Sequence, residues 1–506
     1  MGNPLYDALF GQHKGRTTPF IQLADNTVIT HAAFLELAAQ YAHLFSNLGL
    51  RPGDRVAVQI EKSVQSIAVY AACTQAGLVF LPLNTAYTAK EISYFVNDSE
   101  ASILLCDSKR AEALGTIAIT AGAILETMDA DGKGSFTQQA IGMPTKFLSV
   151  TRSKDDLAAF LYTSGTTGQS KGAMLTQGNL LSNSQVLTTE WAFTASDTLL
   201  HALPVFHTHG LFVATNIALL AGGKILFLTK FDLDAVINLL PKATAMMGVP
   251  TYYTRLLSDP RFTKGLTQHM RLFVSGSAPL LTETHSSFEK RTGHRILERY
   301  GMTETNMNTS NPYRGERRAG TVGFPLPGIE LKITDSATGA TLRQGEIGQI
   351  EVRGPNVFQG YWNLPEKTAQ ELREDGFFIT GDLGKIDLDG YVHIIGRIKD
   401  LIISGGYNVY PKEIELLLDA QEDVLESAVV GVPHPDFGET VIGILVANTD
   451  AELDLEAVRK KLVTSLARFK HPQKLIVLSE LPRNAMGKVQ KKALREKFAY
   501  LSKSKK

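Results

Sequence analysis

The sequence predicts an α/β large domain of doubly wound sheets, with a small β-barrel-like element near its end and a smaller α+β domain after it. Three observations lead there. Strand-like and helix-like hydrophobic periods alternate as far as Asn311, the pattern of parallel sheets covered by helices. Short strands with Gly and Pro turns then dominate 320–361. Beyond Gly396-Arg397-Ile398-Lys399-Asp400, helix and strand signals resume over a stretch long enough for a domain of its own.

Taken in order, Thr30 can cap a helix whose apolar residues Phe34, Leu37, Ala38, Tyr41, Leu44, Phe45 and Leu48 share one face, with Gly49 closing it. A turn at 51–54 leads into a strand at 56–60. A second helix is predicted over 64–76, ended by Gly77, before a strand at 78–83. Thr88 and Glu91 form a capping box for the next helix, and 103–106 is another strand. The same rhythm places strands at 224–227, 243–249 and 272–275, and the short-strand region contributes 329–333 and 347–352. The last domain reads as helix 412–418, strands 428–432 and 441–447, helix 455–466 and strand 474–478.

Composition excludes several classes. The 506 residues are 44% hydrophobic and 20% charged, an ordinary globular balance, and the length suggests about two to four domains. Lys plus Arg equal Asp plus Glu at 51 each, so no charge excess points to nucleic acid or to an acidic membrane. Cys73 and Cys106 are too few for a disulfide framework or a zinc site, which favours a reducing compartment, the cytoplasm. Residues 1–20 lack an apolar signal core, and Tyr6 stands where a myristoylation signal needs Ser or Thr. The most apolar window, 210–227, is broken by Thr215, Asn216, Gly222, Gly223 and Lys224. It therefore reads as buried helix plus strand, with no membrane span.

After a strand-like run at 157–162 comes Thr163-Ser164-Gly165-Thr166-Thr167-Gly168-Gln169-Ser170-Lys171-Gly172. Glycines let backbone N–H groups converge, hydroxyls add donors, and a lysine adds one movable charge, which together suit a polyphosphate. The spacing departs from the Walker A loop, because two residues separate Gly168 from Lys171. Read alone, the stretch fits a phosphate cradle or an ordinary Gly/Ser/Thr connection equally well. Likewise Asp382 and Arg397 alone fit an ion pair at a turn, and Lys488, Lys491 and Lys492 fit a solvated helix start.

Four further stretches accompany that loop: Tyr300-Gly301-Met302-Thr303-Glu304, Thr380-Gly381-Asp382, Gly396-Arg397-Ile398-Lys399-Asp400 and Asn484-Ala485-Met486-Gly487-Lys488. In this order they resemble the adenylate-forming acyl-CoA synthetases, relatives of luciferase and of peptide-synthetase adenylation domains. The resemblance covers essentially the whole chain. It implies two doubly wound sheets in a large domain at 1–398 and a mobile small domain at 399–506. It also implies a two-step reaction, in which a carboxylate attacks Mg-ATP to give an acyl-adenylate and coenzyme A then displaces AMP.

The resemblance implies residue roles as well. Thr163, Ser164, Gly165, Thr166, Thr167, Gly168 and Lys171 would hold the β- and γ-phosphates, and Glu304 would bind Mg2+, a hard cation that takes oxygen ligands. Thr303 would donate to the α-phosphate, Tyr300 would lie against adenine, and Asp382 with Arg397 would hold the ribose hydroxyls. Lys488 would bridge the attacking carboxylate and the α-phosphate, where charge develops. Lys399 would be the hinge, and Gly405 and Gly406 would leave room for the pantetheine arm of coenzyme A. Pro482 through Lys488 resembles the segment of synthetases controlled by lysine acetylation, which implies an acetyltransferase and a deacetylase as partners.

The acid is addressed by Arg299, where many relatives carry Gly or Ala. A buried guanidinium is costly unless an anion meets it. Arg255 lies at helical spacing from Thr251 and could complete a two-arginine clamp on a second carboxylate, so the expected substrate is a short diacid. The runs 298–304 and 249–255 resemble malonate-activating members of the family, which implies malonate ahead of methylmalonate and of monoacids. His207, Ser277 and Met302 are further pocket candidates; His207 equally fits a gate, Arg255 a surface position, and Arg299 a partner of Glu298. Other classes are less well matched. A carrier-loading enzyme would carry an attached carrier segment, a luciferase-like oxygenase needs a large aromatic cavity, and a dead homologue would have lost Lys171, Glu304 or Lys488.

Overall fold

The computed structural model describes residues 2–163, 170–404, 407–434, 437–448, 453–484 and 487–503. Two large sheets carry the first part of the chain. One has six strands in the order Ile124–Thr127, Ile103–Cys106, Arg55–Gln59, Val79–Pro82, Leu157–Thr163 and Lys171–Thr176. All but the last run parallel. The other has nine strands: Phe324–Pro325, Asn306–Ser310, Leu297–Met302, Leu272–Ser275, Ala245–Gly248, Thr198–His201, Lys224–Phe227, Pro19–Leu23 and Val28–Thr30. Its middle is parallel, and antiparallel strands finish both edges.

Local signals act where they were read. Thr30 accepts from Ala33 N at the head of helix His31–Asn47. Helix Val64–Ala76 ends at Gly77, whose φ of 72° costs little without a side chain. Thr88 and Glu91 close both halves of their capping box. The apolar window becomes a π-helical turn, His209–Thr215, then helix Asn216–Ala221 and strand Lys224–Phe227. Among the described residues no helix is long and apolar enough to cross a membrane.

The short-strand element is a four-stranded antiparallel sheet of Glu330–Thr334, Gly348–Arg353, Phe378–Ile386 and Val392–Arg397. It reaches past the expected end at 361 because the Asp382 segment and the Arg397 segment are its third and fourth strands. One buried cluster joins it to both large sheets through residues such as Val58, Val274 and Val352. The last sheet, Tyr407–Val409, Ile402–Ser404, Gly438–Ala447, Val424–His434 and Lys474–Leu478, has its own cores, one on each face. Val429 belongs to one core and Val430 to the other, the period-two alternation of a strand covered on both sides.

Candidate active site

The Gly/Thr-rich stretch begins on a β-hairpin. Strands Leu157–Thr163 and Lys171–Thr176 pair antiparallel with Thr163 opposite Lys171, which brings both ends of the loop together. The loop itself, with Ser164, Gly165, Thr166, Thr167 and Gly168, lies outside the described residues. Thr163 Oγ1 donates to Glu304 Oε1 at 3.2 Å. Lys171 is buried, with Nζ 3.1 Å from Glu371 Oε2 and 3.9 Å above the Tyr361 ring. The Tyr361 hydroxyl lies 2.7 Å from Glu371 Oε2 and 3.0 Å from Glu304 Oε1. Burial and these two carboxylates push its phenol well above the usual range. Burial works against the Glu371 charge, yet Lys367, Tyr361 and Lys171 hold its carboxyl below its ordinary value.

Tyr361 and Glu371 escaped the sequence reading. An isolated bridge from Ala173 to Tyr361 brings their segment beside the hairpin, and no local pattern announces such a long-range contact. Among the described residues no group of three or more His, Cys, Asp or Glu is arranged to hold a metal. Glu304 is buried, and both described hydrogen bonds of its carboxylate fall on Oε1. One carboxylate suits Mg2+, which keeps several waters and takes its other ligands from phosphates.

In the four-stranded sheet, Asp382 and Arg397 face each other across two antiparallel strands, Oδ1 to Nε at 2.8 Å. The Tyr300 hydroxyl donates to Asp382 Oδ2 at 2.6 Å. Asp382 raises the basicity of Arg397, while burial and Asp382 raise the Tyr300 phenol. Asp382 is thus a carboxylate held by directed donors and able to accept from vicinal hydroxyls. Thr303 is half-buried just before Glu304.

A further buried centre is built around Arg299. Its side chain is buried (5% exposed), and Nε and Nη2 have no hydrogen-bond partner. Glu298, one residue away, points instead to His285 at 3.6 Å, so the pairing of Glu298 with Arg299 does not form. Gly276 makes the room, since a Cβ there would lie 2.3 Å from Arg299 Cζ. Burial lowers the guanidinium to about 9. Ser277, at φ 70°, has Oγ 3.2 Å from His209 Nδ1. His209 is 1% exposed, and its Nε2 is unpartnered. Sequence reading singled out His207 and missed His209, two residues on. Both rings are held neutral: burial, Lys488 and Arg299 lower His207 to about 3, and burial and Arg299 lower His209 well below its usual value. Met302 is half-buried against the main core.

Arg255 does not join Arg299. Helix Pro250–Leu257 buries Tyr253 and Leu256, which turns position 255 outward. Its guanidinium is exposed and lies 5.9 Å over the Phe231 ring. The spacing from Thr251 holds, but that stripe faces the rim, where a Cβ on Gly487 would lie 3.6 Å from Thr251 Oγ1. Arg255→Ala should therefore leave kcat/KM for the acid within about twofold of wild type, as expected of a surface change. A loss as large as that of an Arg299 variant in the same steady-state assay would restore the clamp.

From the small domain, Lys488 enters the cleft. The residue as a whole keeps solvent access, but its ammonium is desolvated and close enough to sense Arg397, Asp382, Arg299 and Glu304. Burial first, then Arg397 and Arg299, lower it to about 8, against the opposing pull of Asp382 and Glu304. Lys399 is exposed on a single 3-10 turn, Ile398–Asp400, and Asp400 is tied to Arg495 at 2.9 Å. Gly405 and Gly406 lie outside the described residues. A crevice of about 240 Å³ is lined by Lys62, Phe206, Lys230 and Tyr252 among others. These groups thus share one cleft, into which the Lys488 ammonium reaches.

Comparisons with known proteins bear on this arrangement. Residues 10–362 match the model of the AMP-binding enzyme family, and residues 413–488 match that of the AMP-binding enzyme C-terminal domain. The chain is 35% identical to the malonate–CoA ligase of Arabidopsis thaliana, over 95% of this chain and 85% of that protein. The crystal structure of ATP-bound MatB from Rhodopseudomonas palustris is 54% identical and superposes with a TM-score of 0.97, covering 99% of this chain and 100% of that one. The apo form of MatB, with the same identity and coverage, gives 0.86.

Proposed function

The chain belongs to the AMP-binding enzyme family, and from that premise we propose that it ligates malonate to coenzyme A through a malonyl-adenylate. In the first half-reaction a malonate oxygen attacks the α-phosphorus of ATP, and the bond to pyrophosphate breaks. In the second, the coenzyme A thiolate attacks the acyl carbon and AMP leaves.

The observation that carries the reading is Arg299, a buried guanidinium with two unpartnered nitrogens beside the Ser277–His209 pair. Such a group is expensive unless an anion completes it, and the non-reacting carboxylate of a short diacid supplies one. Neutral His209 and Ser277 add donors without another charge. At the opposite end, the 163–171 hairpin loop and Lys171 receive the β- and γ-phosphates. Glu304 would hold a magnesium ion, which offsets phosphate charge. Thr303 donates to the α-phosphate, Asp382 and Arg397 take the ribose hydroxyls, and Tyr300 packs on adenine. Gly405 and Gly406, as glycines, would leave space for the pantetheine arm.

The test is a pyrophosphate-release screen of C2 to C6 mono- and dicarboxylic acids with ATP and coenzyme A. Malonate should lead, with methylmalonate behind it and monoacids far below. Acetate or butyrate at equal kcat/KM would defeat the reading.

Domain alternation follows from the same mechanism, with Lys399 as the pivot between large and small domains. Hinges absorb a large backbone rotation at a few residues. Lys399→Pro fixes φ near about −65° and should block one half-reaction while sparing the other. Wild-type rates in both, measured separately, would remove the hinge from this position. Acetylation of Lys488 by an acetyltransferase, reversed by a deacetylase, would abolish its charge. Fully modified enzyme, verified by mass spectrometry, should then lose adenylation. Cys73 and Cys106 are free and buried, which supports the reducing cytoplasm as the working compartment.

A further inference from the structure

Away from the reacting atoms, Lys62 forms an arrangement that the chemistry above does not use. It follows strand Arg55–Gln59 in the six-stranded sheet and crosses to the nine-stranded one. Its side chain is buried (6% exposed). Nζ lies 2.9 Å from His201 O, 2.7 Å from Leu228 O and 3.0 Å from His201 Nδ1, above the Phe227 ring at 4.4 Å. None of these partners is a carboxylate, and a buried ammonium in that position is costly unless every hydrogen is satisfied.

The far side of the His201 ring fixes how they are satisfied. His201 Nε2 lies 2.8 Å from Gly210 O, which can only accept, so Nε2 carries a hydrogen. With the ring neutral, Nδ1 accepts, and Lys62 spends its three hydrogens on Nδ1 and two carbonyls. Burial lowers both groups. Thr215 Oγ1 also donates to Gly210 O, at 2.9 Å, within the π-helical turn. His201 ends strand Thr198–His201, and Gly210 lies near the start of that turn. The His201 ring therefore clasps both ends of segment 202–209, which carries His207 and His209. Gly210 itself packs so tightly that a Cβ would lie 2.0 Å from Pro204 O.

We propose that Lys62 is a positioning residue for the acid pocket: through His201 it braces segment 202–209 and holds His207 and His209 against Ser277 and Arg299. This rests on the reading of that pocket as the acid site. The brace acts on one substrate only, because Thr163, Lys171, Glu304 and Asp382 are carried by other segments.

Lys62→Met keeps the bulk and removes the three donors. In steady-state assays of the full chain, KM for malonate should rise about tenfold, the scale of one lost charged hydrogen bond, while KM for ATP stays within about twofold. In an Arg299→Gly background the same substitution should change malonate kcat/KM by less than about twofold, since the cluster it positions is already broken. Thr215→Val, which takes a donor from Gly210 O and leaves Lys62 alone, should raise KM for malonate in the same sense but less; it serves as the test should Lys62→Met not fold. Equal rises in both KM values, no change in either variant, or full additivity with Arg299→Gly would each overturn the brace. If the screen identifies another acid, the comparison is repeated with it. A selective rise then upholds the brace while the malonate reading falls.

Discussion

Lys488→Ala should cut malonyl-adenylate formation by about two to three orders of magnitude, the scale of losing a preorganised charge donor at a developing oxyanion. Supplied with preformed malonyl-adenylate, the variant should still make the thioester, because the thiolate's attack in the second half-reaction develops its charge on the acyl oxygen. The cleft supports this division of labour, since Lys488 senses Asp382, Arg397, Arg299 and Glu304 together. A pH effect accompanies it. Burial, Arg397 and Arg299 all disfavour the ammonium and lower it to about 8, and the ammonium is the active form. Wild-type kcat/KM for adenylation should therefore fall as pH rises through about 8, approaching tenfold per unit, and Lys488→Ala should lack that limb. Equal loss in both half-reactions, or an unchanged alkaline limb in the variant, would defeat the assignment.

Arg299→Gly should lower kcat/KM for malonate by about 30- to several-thousand-fold, matching the roughly 2–5 kcal/mol lost when one partner of a desolvated charge pair is deleted. Propionate and butyrate should be unharmed or improved, because an apolar chain loses nothing with the cation and gains the vacated space against Gly276. Arg299→Lys should recover only part of the loss, since a single ammonium cannot reproduce the guanidinium fork. The measurement is a matched kcat/KM series for malonate, methylmalonate, acetate and butyrate. A uniform fall across all four acids would make Arg299 structural and remove the main support for a diacid.

Much of the architecture was legible because its causes are local. The helix over 64–76 was readable to the residue, since its apolar run and terminal glycine are consecutive in the chain. The same holds for the capping box at Thr88 and for the strand at 103–106. Motif residues such as Glu304, Asp382 and Arg397 were recognisable as a set, but their contacts were not. Asp382 meets Arg397 because an antiparallel register pairs them across a sheet that was expected to end at 361.

Arg255 shows the limit most clearly. Its helical spacing from Thr251 was right, yet spacing says only which residues share a face and not which face is covered. The burial of Tyr253 and Leu256 against the large sheet made that choice and turned the guanidinium outward. Tyr361, Glu371, His209 and Lys62 were missed for a related reason: each acquires its meaning from partners tens to hundreds of positions away.

By itself, then, the sequence determined the kinds of element, the order of domains and the identity of the chemical groups, because hydrophobic period, caps and motif composition act over a few residues. Only the tertiary structure decided which groups share a cleft, which guanidinium is left without a partner and which faces the solvent. Those outcomes depend on strand register and on desolvation by distant segments, and neither is encoded in any single stretch of the chain.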